Sequence, residues 1–202
     1  MGVVAPAHLI ATASGRGATR SATLIVGIGA ALGLRAAVGG DATAASMPAG
    51  LVFAGALLAI AAAAGWRGGR PAPRAVLLGA GGGALLVGVW LSARSGAAIT
   101  LVSPNAAIAL WSPVVAIIAV AEEVVLRGSL FTAVREWRGD GAALVATTLV
   151  FALMHLPLYG VGALPLDLAV GTLLGGLRIV SGGVLAPAVA HVTADLAGGW
   201  LL

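Results

Sequence analysis

Apolar residues run along this chain in long blocks, and polar residues gather between the blocks instead of alternating with them. The blocks fall at about Ser21–Val38, Met47–Trp66, Ala75–Ala93, Asn105–Val134, Gly141–Tyr159, Pro165–Ile179 and Gly183–Leu202. Most are close to the roughly 20 residues an α-helix needs to cross a bilayer. The pattern predicts an all-α, polytopic transmembrane bundle of about seven spans. The fourth block exceeds one crossing, so its last turns, Arg135-Glu136-Trp137-Arg138, are expected at the interface. The sixth is short. Pro165 suits its first helical turn, and Asp167 sits near the positive end of the helix dipole, a structural role. Met1 to Arg20 is mixed, with Pro6 and His8, and His8 is read as incidental. Arg16 and Arg20 precede the first block as in a signal sequence, and Ala42-Thr43-Ala44 resembles a cleavage site. The distance between them is long, which favours an uncleaved first span. The chain divides into an N-terminal segment (1–20), N-terminal transmembrane helices (21–100) and a helical unit carrying the chemistry (101–202).

Composition strengthens the membrane reading. Of 202 residues, 60% are hydrophobic and 9% charged, with mean hydropathy +1.08. A soluble domain is about a quarter charged, so too little polar surface exists to wrap a water-soluble globule. All 11 basic residues are Arg. With heavy Ala and Gly use, this suggests bacterial coding and a bacterial cytoplasmic membrane. With the N-terminus inside, the inner segments hold Arg16, Arg20, Arg67, Arg70, Arg74, Arg135, Arg138 and Arg178, and the outer ones only Arg35 and Arg94. That is the bias expected of cytoplasmic loops. It also accounts for the net charge of +4 without a nucleic-acid partner. The absence of cysteine excludes disulfides, thiol catalysis and thiolate metal sites. Gly29 with Gly33, Gly79 with Gly83, and Gly171 with Gly175 have the small-xxx-small spacing of close helix packing.

Against this background Ala121–Gly128, AEEVVLRG, stands out. An ionisable group near a bilayer centre costs at least about 2.5–3.5 kcal/mol and usually marks function. Glu123 and Arg127 are spaced i, i+4, the favourable order for a helical ion pair. Glu122 points about 100° round the helix and has no local basic partner. Three more polar residues sit in apolar spans: His155, and His191 with Asp195 one turn on. At about 1.5 Å per residue, Glu122 lies about 18 Å from its inner span end, His155 about 21 Å, His191 about 12 Å and Asp195 about 18 Å. Each alone reads as a packing or ion-pair residue. Together, at similar depth on three helices, they predict one shared polar site.

EEVVLRG, FALMH and HVTAD resemble the EExxxR-G, FxxxH and HxxxN/D signatures of the CPBP family, the CAAX proteases and bacteriocin-processing (Abi) enzymes. The three occur in family order over about Ala121 to Ala197. The resemblance implies an intramembrane endopeptidase that cleaves a membrane-associated peptide or protein. It implies that Glu122 and His155 activate a water and that His191 and Asp195 bind the oxyanion. Glu123 and Arg127 take supporting roles. The chemistry agrees, since peptide hydrolysis needs a base beside the water and donors aimed at the oxyanion. The eukaryotic CAAX enzyme has Asn where this chain has Asp195. An ionised Asp cannot donate to an oxyanion, so Asp195 either carries a proton or orients and charges His191. No cofactor is expected. The alternative is zinc on His155, His191 and Glu122, although the chain has no HExxH motif. Two other functions compete: a non-catalytic immunity or scaffold protein, and a proton-coupled transporter.

Overall fold

Every apolar block forms a helix, and the turns between them fall where capping and left-handed residues allow. The computed structural model describes residues 7–69, 72–93 and 101–201, with side chains described from residue 15 onward. Pro6 and the side chain of His8 lie outside the described residues. The helices are α1 (Ala7–Gly39), α2 (Met47–Ala63), α3 (Pro73–Ala93), α4 (Ala106–Glu123), α5 (Phe131–Tyr159), α6 (Leu164–Ser181) and α7 (Leu185–Trp200). Ser46 caps α2 by accepting from the Ala49 N–H at 3.3 Å. Asn105 caps α4 by accepting from Ile108 at 3.0 Å. Each cap satisfies an N–H that the helix itself leaves open.

By length and apolarity Gly15–Ala42, Pro73–Ala93, Ala106–Tyr159 and Val161–Ser181 can cross a bilayer, and α2 is a shorter apolar helix of 17 residues. The 54-residue stretch Ala106–Tyr159 is two helices, because Gly139 at φ 80°, ψ 178° breaks α5. That backbone region is open essentially to glycine alone. The break falls between the expected fourth and fifth spans. With 16 residues, α7 reaches only about 24 Å. The outward face of the bundle is apolar, with Val26 72% and Leu77 73% exposed. A lipid-facing surface accounts for this inversion of the soluble pattern.

Two of the three glycine pairs perform as expected. A Cβ on Gly79 would lie 2.6 Å from the Ala186 carbonyl oxygen, and one on Gly83 would lie 2.7 Å from Thr193 Cβ. The bare backbone of α3 therefore lies directly on α7. A Cβ on Gly171 would lie 3.2 Å from Thr148 Cα, so α6 approaches α5 in the same way. The Gly29–Gly33 expectation fails: a Cβ on either residue meets nothing within 4 Å. That stripe of α1 faces away from its neighbours.

The two ends of the bundle differ. At one end Arg20 pairs with Glu136 at 3.3 Å and donates to the Ala64 carbonyl at 2.9 Å, and Arg135 pairs with Asp140 at 3.1 Å. At the other, the Val102 N–H donates to the Trp200 carbonyl at 2.9 Å, and Trp200 Nε1 donates to Ser112 Oγ at 3.1 Å. These two bonds tie the end of α7 to the start of α4.

Candidate active site

Glu122 and Glu123 close α4, and the chain continues as a π-helical stretch over Val124–Leu130. The Phe131 N–H reaches back five residues to the Leu126 carbonyl. All seven residues of the stretch are buried. Such widened turns concentrate at functional sites. Here two neighbours fit the distorted backbone. Arg178 Nε donates to the Arg127 carbonyl at 2.8 Å. Trp66 lies so close to Gly128 that a Cβ there would be 2.7 Å from its Nε1. Trp66 thus packs inward, against the backbone at Gly128.

The i, i+4 pair is present and has a third member. Arg127 Nη1 donates to Glu123 Oε1 at 2.8 Å, and both side chains are fully buried. Arg127 Nη2 donates to the Gly171 carbonyl at 3.1 Å, and its guanidinium sits 4.9 Å from the Phe151 ring centre. His191 from α7 lies 3.0 Å from the same Glu123 oxygen through Nδ1. A carboxylate oxygen accepts, so Nδ1–H donates, and Nε2 faces the remaining carboxylates. It lies 4.0 Å from Glu122 Oε2 and 3.6 Å from Asp195 Oδ2. Both separations exceed a hydrogen bond, which leaves these atoms free to bond a bound molecule. Asp195, one turn on, was one possible partner of His191; the observed hydrogen-bond partner is Glu123.

On α5, His155 lies 2.8 Å from the Phe151 carbonyl through Nδ1. The carbonyl can only accept, so Nδ1 carries the proton and Nε2 keeps a lone pair. The Phe151 ring separates the histidines, with centroids 4.3 Å from His155 and 5.5 Å from His191, edge-on to the latter. Tyr159 stacks on the other side of His155 at 5.7 Å and 19°.

One cavity of about 880 Å³ collects these groups. Glu122, His155, His191 and Asp195 all line it, and so do Arg35, Tyr159 and Asp167. Glu122 and His191 are buried, whereas the Asp195 side chain is 39% exposed. The convergence expected from helical rise is thus present in space. Asp167 does occupy the first turn of α6. Its Oδ2 is buried without a hydrogen-bond partner and the residue borders the cavity. Two ligands of a tetrahedral zinc stand about 3.4 Å apart, against 4.0 Å for His191 Nε2 and Glu122 Oε2. Among the described residues no three His, Asp or Glu side chains converge as a ligand set.

A family model described as type II CAAX prenyl endopeptidase Rce1-like matches residues 104–197. These residues are similar to the Rce1-like CAAX-protease family, the family that the three motifs resemble. No curated protein and no solved structure matches the chain. The matched segment runs from the cap of α4 into the last turns of α7, so it contains Glu122, Glu123, Arg127, His155, His191 and Asp195. Arg35 on α1 borders the same cavity from outside the segment. Sequence reading took Arg35 only as a topology charge and Phe151 only as a motif letter. Its signal, a lone arginine within the apolar run Leu24–Val38, was the same one that drew attention to Arg127.

Proposed function

We propose that this chain is an intramembrane endopeptidase in which Glu122 is the base and His155 positions the water. What carries the reading is one cavity that holds a buried Glu122 free of hydrogen bonds to protein beside two histidines whose Nδ1 atoms are already engaged. His155 Nε2 accepts a hydrogen bond from the water while Glu122 removes its other proton. The water oxygen attacks the peptide carbonyl carbon. Glu122 then delivers that proton to the amide nitrogen as the C–N bond breaks, giving an acid and an amine. His191 is placed to donate to the oxyanion from Nε2. With Nδ1–H already given to Glu123, it does so as the imidazolium, balanced by the carboxylates around it. Asp195 supports His191 or, protonated, donates beside it. Glu123 and Arg127 are positioning residues. The substrate is a membrane-associated peptide or protein, and no metal takes part. The N-terminus and the arginine-rich end lie in the cytoplasm.

Glu122→Gln keeps the shape and removes the basicity. Turnover of a peptide library should fall by a factor of about 10² or more, with the melting curve and peptide binding unchanged. Wild-type cleavage should persist in strong chelator. An active Glu122→Gln protein ends this mechanism, and activity that dies with a stoichiometric zinc moves His155 and His191 to metal ligands.

A further inference from the structure

Arg127 and α6 hold each other in two places. Arg127 Nη2 donates to the Gly171 carbonyl at 3.1 Å, and Arg178 Nε donates back to the Arg127 carbonyl at 2.8 Å. Gly171 and Arg178 share the buried face of α6 and stand about 10 Å apart along its axis. Arg127 therefore lies along α6, held by its backbone at one point and by its guanidinium at the other. That backbone belongs to the π-helical stretch Val124–Leu130. Successive carbonyls there accept from unlike donors: Leu126 from the Phe131 N–H, Arg127 from Arg178, and Gly128 from Thr132 Oγ1 at 2.6 Å. The first and third of these bonds are local. The second reaches in from another helix, 51 residues along the chain. Arg178 is buried, its guanidinium carbon lies 5.2 Å from the Phe131 ring centre, and it does not line the cavity.

We propose that Arg178 is a positioning residue of the active site, and that it acts through the N–H it gives the widened turn and not through its charge. Where a helix changes register into a π-helical turn, its carbonyls lose the regular i+4 donors of an α-helix, and a buried carbonyl needs a replacement. Arg178 Nε supplies one. The Phe131 ring would accept any cation; the carbonyl needs an N–H at that one place. From there the contacts run unbroken into the site. Arg127 donates to Glu123 Oε1 at 2.8 Å, and the same oxygen accepts from His191 Nδ1 at 3.0 Å. His191 Nε2 is the atom that faces Glu122 and Asp195. Without the Arg178 bond the turn is free to relax, carrying Arg127, Glu123 and His191 with it, and a displacement of about 1 Å can cost about 10² in rate. The inference rests on the endopeptidase reading and deepens it: His191 is held in place by a residue outside the three motifs, on a helix that contributes none of them.

Glutamine separates donor from charge, because its Nε2 hangs from Cδ as the Nε of arginine does. Arg178→Gln keeps an N–H at that place without the charge. Arg178→Lys keeps the charge and puts a methylene there, and Arg178→Met has neither. The purified full chain and the three variants are assayed on the best-cleaved member of a randomised, internally quenched peptide pool. Arg178→Gln should keep most of the wild-type kcat, whereas Arg178→Lys and Arg178→Met should lose a factor of about 10–10² with KM unchanged. A second readout needs no turnover. In spectra of isotope-labelled histidine nitrogens, the His191 Nδ1 signal should shift in the Lys and Met variants and hold its place in Arg178→Gln. A glutamine variant no better than the lysine variant overturns the proposal, as does a loss carried by KM alone. Should Arg178→Met fail to fold, the contrast between glutamine and lysine decides. If the wild type cleaves no peptide, the endopeptidase reading fails, and the order of the variants in the histidine spectra decides this one.

Discussion

At Glu123 one carboxylate oxygen takes hydrogen bonds from both Arg127 and His191. Glutamine there keeps an acceptor oxygen but removes the counter-charge of a fully buried guanidinium. Breaking one side of a buried pair costs about 3–5 kcal/mol, so Glu123→Gln should lower the melting temperature clearly where Glu122→Gln does not. An unchanged melting curve would remove the counter-ion role. Asp195 is tested differently, because its side chain is partly exposed and 3.6 Å from His191 Nε2. Asp195→Asn supplies a fixed N–H donor and should retain or raise peptide turnover, whereas Asp195→Ala should lower it. Equal damage from both would mean that Asp195 acts through its charge on His191. At this scale the sequence was legible for the i, i+4 pair, since helical spacing is local. It could not show that His191 turns to Glu123 and not to Asp195. That choice depends on how α7 is rotated against α4, which no spacing within either helix records.

Helix packing sets that rotation. Gly79 and Gly83 let α3 lie on α7, and α7 carries His191 two residues beyond Val189, whose Cβ would be 2.7 Å from a Cβ on Gly79. The nearest obstacle, the Ala186 carbonyl, is backbone and cannot rotate away. Gly79→Ala should therefore push the helices apart at a cost of about 1–3 kcal/mol, and peptide turnover should fall as His191 leaves Glu123. Gly33→Ala meets open space and should be neutral or gain about 0.5–1 kcal/mol of helix stability. A harmful Gly33→Ala together with a silent Gly79→Ala would contradict the packing described. The same spacing occurs at both sites, so it marks a helix that can be approached closely without naming the face that is. The π-helical turn was equally invisible, because EEVVLRG fits a regular α-helix and the contacts of Arg178 and Trp66 with the widened backbone come from distant parts of the chain.

For the molecule as a whole, block length and apolarity did place the helices, including the Gly139 break, since bilayer thickness acts on each stretch independently. Arginine counts extend this to orientation, and reporter fusions at Arg70 and Arg138 should both read cytoplasmic. A signal from the opposite side at either would reverse the proposed topology. The cavity walls come from the other end of the bundle: Ala44–Met47 between α1 and α2, the late turns of α3 and α7, and the early turns of α4 and α6. In the proposed orientation that end faces away from the cytoplasm. The chain would then meet its substrates only after they had left the cell interior, and newly made peptides on the cytoplasmic side would be out of its reach. A charged inhibitor unable to cross the bilayer would still find Glu122 in intact cells, arriving from the medium.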